Sequence, residues 1–372
     1  NGDITLNANR VVLDNITTIS AGDTLSIQTA SNNTSIGLGN GAAGTLNLNA
    51  AELAVLSAGN RIVIGNADNA GAVHINNADL TGETLALYGG AMTIDGGLDA
   101  DALSLISKGN ITLNGAVTAT DTGNSIIMKG SGFTNTAGAN GIDAGAGRYL
   151  VYMDTPSSVV KGGLGAKNLY NRTYSGHPPS SIAQSWGDRF VFAYQPTLTF
   201  TPHNQSLNTY NPSYNTFPYT VSGMVPGDSL ADIFSGLPSF SKQETQFGTY
   251  RINGTNGSLT SLLGYKFAFA PGTLHMPRPV QQIGSSAGQQ LQAPDRWLTQ
   301  HSGYKIEYTS TASTQNTDTS QVIIRRNNLQ QNIAKSAEQH ADVRLIEADF
   351  MEINQPVIDF YDLCSYNVAY CQ

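Results

Sequence analysis

Residues 85–113 have the sequence LALYGGAMTIDGGLDADALSLISKGNITL, in which short segments alternate apolar and polar side chains. The segments are Leu85–Leu87, Met92–Ile94, Leu103–Leu105 and Ile111–Leu113. Such alternation is the period-two pattern of a strand with one buried face. Glycine pairs at 89–90 and 96–97 favour turns between segments. The stretch therefore predicts short strands joined by tight turns.

The same pattern extends toward the N-terminus. Further segments are Ile4–Leu6, Leu25–Ile27, Leu46–Leu48, Ile62–Ile64 and Val73–Ile75. A spacing of about twenty residues is typical of the coils of a parallel β-helix. That spacing relates Ile4, Leu25 and Leu46, and then Leu85, Leu103 and Ile126. The sequence therefore predicts an all-β fold that begins with a right-handed parallel β-helix stalk over residues 1–147.

Composition changes sharply after Gly147. Only Tyr88 and Phe133 are aromatic before residue 148, and Pro156 is the first of 14 prolines. Residues 1–147 also carry the whole net charge of −8. A β-sandwich of hairpins is the alternative fold for this part, but scarce aromatic residues and absent prolines favour strands that each pair with two neighbours. We therefore expect a change of architecture near residue 147.

Charge and hydropathy exclude several functions. The 372 residues contain only 19 Lys and Arg, too few for the basic face that binding nucleic acid needs. No apolar run approaches the roughly 20 residues of a membrane-spanning helix, and no signal peptide is evident. The first residues are already strand-like, so we expect a mature or excised piece of a longer protein that does not itself span the membrane.

Catalytic groups are weakly indicated. Asp95, Asp99 and Asp101 are the only close acidic group in the stalk, and we place them in a Gly-rich turn as solvated residues. A polysaccharide-cleaving enzyme would need convergent carboxylates for acid–base work. His74 alternates with apolar residues and is expected to face solvent. The sequence predicts no enzyme, no metal site and no cofactor, and it lacks a repeated Asp motif for calcium.

Two motifs follow the stalk: GRYLVY at Gly147–Tyr152 and RFVFAYQPTL at Arg189–Leu198. They resemble the stretch that closes the haemagglutinin-type β-helix of two-partner-secretion exoproteins. The resemblance implies that residues 148–196 form a cap and connector. The physical argument agrees, because large aromatic side chains can cover the apolar end of a solenoid.

Residues 197–276 contain YTVSGMVPGDS (219–229), GTYRI (248–252) and GYKFAFAPGTL (264–274). These motifs resemble the MBG-type repeat of bacterial surface adhesins. The resemblance implies a small β module that acts as a spacer, with an Ig-like or grasp-like fold.

The rest of the chain is predicted to be a linker at 277–303 and a mixed C-terminal region at 304–372, with strands at 304–308 and 321–325. The only cysteines are Cys364 and Cys371. No histidine lies near for a zinc site, and their spacing does not match a redox motif. A disulfide that makes the chain end bulky, a mere clasp for the tail, and two reduced thiols all remain open.

This ending resembles the cysteine hook of cell-retained two-partner-secretion adhesins, a family that includes the high-molecular-weight adhesins. The resemblance implies export through a partner β-barrel of the outer membrane. It also implies a disulfide between Cys364 and Cys371 that prevents the last segment from leaving. The enclosed hook loop is Ser365, Tyr366, Asn367, Val368, Ala369 and Tyr370.

The resulting hypothesis is a cell-surface adhesin tethered at the outer membrane, with its C-terminus in the periplasm or the transporter. Matrix polysaccharide or another copy of the adhesin is a further expected partner. The alternatives are a polysaccharide-acting β-helix enzyme, the passenger of a classical autotransporter, and a freely released filament.

Overall fold

The computed structural model describes residues 2–13 and 17–277, and the backbone of residues 304–310 and 320–326. The chain divides into two compact units. The first comprises Asn1–His203, Phe217–Ser241 and Asn253–Pro271. The second includes residues 204–216 and 242–252 and resumes at Gly272.

The N-terminal half of the chain is built from short strands. They begin with β1 (Ile4–Asn7), β2 (Ile19–Ala21), β3 (Thr24–Gln28), β4 (Ile36–Gly39), β5 (Leu46–Leu48), helix α1 (Ala50–Leu53), β6 (Leu56–Ala58), β7 (Arg61–Ile64), β8 (Val73–Asn76), β9 (Ala78–Gly89) and β10 (Met92–Ile94). They continue with β11 (Leu98–Ser107), β12 (Asn110–Leu113), β13 (Val117–Ala119), β14 (Ile126–Lys129), β15 (Gly132–Asn135), β16 (Ile142–Asp143), β17 (Tyr149–Met153), β18 (Val159–Val160), β19 (Lys167–Leu169) and β20 (Arg189–Phe192). Single 3₁₀ turns lie at Gly138–Asn140, Pro156–Ser158, Pro179–Ser181 and Gln184–Trp186.

These strands form two long sheets. One has the order β1-β3-β7-β9-β11-β14-β17-β20-β19, with β13 and β16 beside it. The other has the order β18-β15-β12-β10-β8-β4-β5, and β2 pairs with β6. The pairs in both sheets are parallel, for example β7 with β9 and β10 with β12. Parallel pairing between successive coils confirms the predicted β-helix and excludes the antiparallel sandwich.

Inward-facing aliphatic side chains stack from coil to coil. Leu25 pairs with Ile62, Ile62 with Leu85, and Leu85 with Leu103, and all four are buried. Burial of each such side chain contributes about 1.5–3 kcal/mol before the cost of ordering is subtracted. His74 lies half-buried between two buried neighbours, so its side chain faces outward as expected.

The predicted spacing is wrong for the second coil. All nine predicted segments are strands, but Leu46 pairs with Ile36 in the second sheet and does not stack on Leu25. The chain there makes a detour through β5 and α1. Asn49 caps this helix by accepting hydrogen bonds from Ala51 N and Glu52 N. A capped helical turn lengthens the coil without breaking the stack of strands.

Aromatic side chains fill the interior at the C-terminal end of the sheets. The ring centroids of Phe133 and Phe190 are 5.6 Å apart, and those of Tyr170 and Phe192 are also 5.6 Å apart. The parallel sheet continues past Gly147 through β17, β20 and β19. The aromatic residues therefore lie among the last strands of the solenoid, where the sequence predicts a cap.

A loop formed by residues 171–188, here called the strap, covers the outer face of these last strands. Leu150, Tyr152 and Val191 face outward from β17 and β20, and all three are buried. Ile182 and Tyr174 of the strap pack against them. The last coils are therefore enclosed on both faces.

The region that follows contains a second group of short strands. They are β21 (Thr197–Pro202), β22 (Gln205–Ser206), β23 (Tyr219–Ser222), helix α2 (Leu230–Ile233), β24 (Phe234–Ser235), β25 (Ser239–Gln246), β26 (Thr249–Thr255), β27 (Thr260–Ser261), β28 (Lys266–Phe269) and β29 (Gly272–His275). In the first unit, β21 pairs antiparallel with β23 and parallel with β28. Phe200 is buried there and stacks on Phe269 at 5.5 Å.

In the second unit, residues 249–252 pair antiparallel with residues 272–275. Gln205 and Ser206 of β22 pair parallel with Leu274 and His275 at the end of β29. Further along the chain, β30 (Tyr304–Ser310) and β31 (Ser320–Arg326) form an antiparallel pair. Both strands were predicted. The rest of the predicted linker and of the C-terminal region lies outside the described residues.

Among the residues that the structure describes, no helix has the length and hydropathy needed to cross a membrane.

Candidate functional site

The predicted anchor lies outside the described residues. This applies to Cys364, Cys371 and the hook loop 365–370. Their pairing and surroundings therefore remain predictions.

Asp95 and Asp101 form hydrogen bonds between neighbouring coils of the stalk. Asp99 and Asp101 lie on β11, so placing them in a Gly-rich turn was wrong. Asp101 Oδ1 accepts a hydrogen bond from Gly82 N at 3.0 Å, and Asp95 Oδ1 accepts one from Asn114 Nδ2 at 2.8 Å. The described residues contain no group of three or more His, Cys, Asp or Glu arranged for a metal ion.

A polar cluster, here called the Asp228 cluster, lies at the C-terminal end of the β-helix. Asp228 Oδ2 accepts hydrogen bonds from Tyr170 Oη at 2.7 Å and from Tyr265 Oη at 2.5 Å. Its Oδ1 accepts one from Asn168 Nδ2 at 2.8 Å. The cluster therefore joins β19 to the segment that precedes α2 and to the segment that precedes β28.

Local sequence explains how the carboxylate is presented. Gly227 has φ +92°, a conformation that glycine adopts readily, and Asp228 N donates to Val225 O at 3.1 Å. The resulting turn places Asp228 beside two tyrosines that are almost fully buried. Three donors on one carboxylate compensate for much of the cost of removing it from water.

Burial is the main cause that raises the pKa of both Tyr170 and Tyr265, and the bonds to Asp228 add to it. A tyrosinate beside this carboxylate would be doubly unfavourable, because it would be desolvated and repelled. Both phenols are therefore held as neutral hydrogen-bond donors. The exposed ion pair of Lys167 with Asp232, at 2.6 Å, lies nearby, and as a surface pair it adds little to stability.

Arg148 fixes the strap. It is only 2% exposed, and Nη2 donates to Ile182 O at 2.6 Å while Nη1 donates to Ala183 O at 2.5 Å. Nε donates to Asn124 Oδ1 at 2.8 Å. The guanidinium thus binds the strap to the coil beneath it. Burial lowers the pKa of Arg148, yet arginine remains charged in proteins.

Two clefts lie on the first unit beside the strap. The smaller, about 240 Å³, is lined by Lys129, Tyr152, Asp154, Arg172 and Tyr174 among others. The larger, about 500 Å³, is lined by Tyr149, Lys167, Trp186, Asp188 and Arg189 among others.

Sequence reasoning did not find the Asp228 cluster. Asp228 and Tyr265 belong to motifs quoted for the MBG resemblance, whereas Asn168 and Tyr170 lie between the two motifs of the cap, and no spacing relates them. The available signal was weak, since it consists of one acidic residue directly after a Pro-Gly pair.

Comparison with known families identifies an MBG domain (YGX type) at residues 198–275. This domain is typical of large adhesin-like proteins. It agrees with the sequence-based prediction of an MBG-like module at 197–276. Comparison with curated proteins and with solved structures gives no match in either case.

Proposed function

We propose that this protein is part of a bacterial adhesin anchored at the cell surface. The observation that carries the proposal is the MBG domain at 198–275, which follows a parallel β-helix in the same chain. Repeating coils and a small spacer module suit a structural and adhesive role.

The proposal includes export through a β-barrel transporter of the outer membrane and retention there. A linear chain passes a narrow pore as one extended strand. A disulfide between Cys364 and Cys371 would instead present two strands abreast, together with the ring of Tyr366 or Tyr370. Retention is then steric and kinetic, and it does not depend on affinity. Oxidation requires the periplasm or the exterior, where disulfides persist.

Matrix polysaccharide or another copy of the adhesin is the proposed binding partner. Only 12% of the residues are charged, which agrees with contacts that do not depend on a strongly charged partner. No catalytic activity and no cofactor are assigned.

The test uses cells that produce the complete protein together with its transporter. Cys364→Ser and Cys371→Ser are compared with wild type, and protein on the cell and in the medium is quantified. Ser365→Ala is the matched control, since it changes the same loop and leaves both thiols. The proposal expects either cysteine variant, but not the control, to move into the medium. Retention of both cysteine variants at the wild-type level would refute disulfide anchoring.

A further inference from the structure

Lys161 lies at the C-terminal end of the solenoid with its amine directed inward. Nζ donates a hydrogen bond to Ala166 O at 2.8 Å and lies 4.7 Å from the centroid of the Phe190 ring. Gly162 and Gly163, with φ of +59° and +95°, reverse the chain directly after Lys161. The lysine side chain therefore runs beside the residues that lead into β19.

Asn168 has an unusual environment on that strand. It is only 3% exposed, and its Oδ1 is buried without a hydrogen-bond partner. Its Nδ2 donates to Asp228 Oδ1 at 2.8 Å and to Tyr170 Oη at 2.9 Å. A buried amide oxygen without a donor is unfavourable, and such a group in a folded protein calls for an explanation.

Phe190 on β20 is a neighbour of both side chains. Asn168 is the residue directly opposite Phe190 in this parallel pair, and the Phe190 ring is the one that Nζ of Lys161 overlies. Ala166, the present acceptor of Nζ, is two residues before Asn168. The reaction requires Nζ to leave the Ala166 carbonyl and approach the Asn168 amide, a movement for which lysine has a flexible four-carbon stem.

Burial makes the neutral amine more accessible than it is in water. Burial lowers the pKa of Lys161, and the carboxylate of Asp228 acts in the opposite direction. Unprotonated lysine is a nucleophile, and desolvation is a common way of producing it.

We propose that Lys161 Nζ and Asn168 Cγ condense into an intramolecular isopeptide bond, with Asp228 as the group that carries the proton. Nζ attacks Cγ, and a carbon–nitrogen bond forms. One proton leaves Nζ and reaches Nδ2, for which Asp228 Oδ1 is already in hydrogen-bond distance. The bond from Cγ to Nδ2 then breaks and ammonia departs. An amine and a primary amide become a secondary amide and ammonia, so no oxidant, reductant or cofactor is needed.

The link would close the Gly162–Gly163 turn covalently onto β19, the edge strand of the first sheet. It would also remove both the buried amine and the unpartnered primary amide. Lys167 provides the contrast, because it is exposed and paired with Asp232. It is the matched control for the experiment.

The experiment is peptide mapping of the full-length purified protein by mass spectrometry after trypsin digestion. An isopeptide bond blocks cleavage after Lys161. The wild-type protein is therefore expected to give a branched product of residues 149–167 and 168–172, about 17 Da lighter than the two peptides together. Lys161→Arg is expected to abolish this product, whereas Lys167→Arg keeps a linked product. Asp228→Asn is expected to slow its formation by about a hundredfold.

Loss of ammonia alone does not support the bond, because Asn-Gly pairs such as Asn114–Gly115 lose the same mass on forming a succinimide. A succinimide joins no peptides, so only the branched product counts. If wild-type protein releases residues 162–167 as a separate peptide in full yield, the proposal is overturned. This outcome depends on wild type alone, so a variant that fails to fold does not affect it.

Discussion

The hydroxyl of Tyr170 donates a hydrogen bond to Asp228 Oδ2 at 2.7 Å. Tyr170 directly follows β19, the last strand of the first sheet, whereas Asp228 belongs to the MBG domain. The bond therefore joins the end of the solenoid to the module that follows it. A contact between neutral phenol and carboxylate is stronger than one between two neutral groups, and Tyr170 is fully buried.

Replacing Tyr170 with Phe removes this donor and leaves the ring in place. Asp228 then loses one of three donors, and we expect the free energy of unfolding to fall by about 1–3 kcal/mol. Urea denaturation monitored by fluorescence measures the change. Tyr194→Phe is the control, since that side chain is 47% exposed. Equal stability of the two variants would contradict a structural role for the bond.

Alkaline pH should destabilise the protein through its buried tyrosines. Burial raises the pKa of Tyr149 to about 12 from its ordinary value of 10.0. Below pH 10 the Tyr149 hydroxyl keeps its proton in both the folded and the unfolded state, so its contribution to stability is complete. Between pH 10 and about 12 the unfolded state ionises first, and stability is lost progressively.

The measurement is the thermal midpoint across this pH range. Tyr149→Phe should lose less stability than wild type between pH 10 and about pH 12, because it lacks one of the buried phenols that ionise in this range. Val160→Ala, an exposed change without a titrating group, should keep the wild-type slope. If Tyr149→Phe leaves the dependence of the thermal midpoint on pH unchanged, residues other than Tyr149 cause the loss of stability at alkaline pH.

Arg148 should be needed to hold the strap. Arg148→Met keeps much of the side-chain volume but loses the bonds to Asn124, Ile182 and Ala183. We expect unfolding to become easier by about 3 kcal/mol and trypsin to cleave earlier at Arg172 within the strap. Arg61→Met on an exposed strand position is the control. Cleavage at Arg172 that proceeds at the wild-type rate would show that other contacts hold the strap.

The sequence predicts the β-helix because every coil repeats the same local pattern. Inward residues such as Leu85 and Leu103 are aliphatic, and polar residues alternate with them. It does not predict the long second coil, since nothing in the local alternation shows that Leu46 pairs with Ile36. Register between coils depends on the whole path of the chain between them.

The Asp228 cluster could not be predicted for a different reason. Tyr170 and Asp228 are far apart in the sequence, and hydrogen bonds between distant side chains leave no periodic signal. The motifs around them indicate families and folds, but not which hydroxyl contacts which carboxylate. The strap is similar, because Arg148 acts on backbone carbonyl groups, which any sequence supplies.

Close stacking of the coils should make Gly115 irreplaceable. A Cβ built on Gly115 would collide with the backbone carbonyl oxygen of Gly96 in the preceding coil. Backbone on both sides cannot move aside without disturbing the pairing of β10 with β12. We therefore expect Gly115→Ala to lower the free energy of unfolding by about 1–3 kcal/mol. Gly97→Ala is the matched control, because its nearest neighbour is Asp99 Oδ2 at 3.5 Å, an ordinary contact. Urea denaturation of both variants tests this expectation. If Gly115→Ala is no less stable than Gly97→Ala, the coils can accommodate a Cβ at position 115, and the argument from close stacking is wrong.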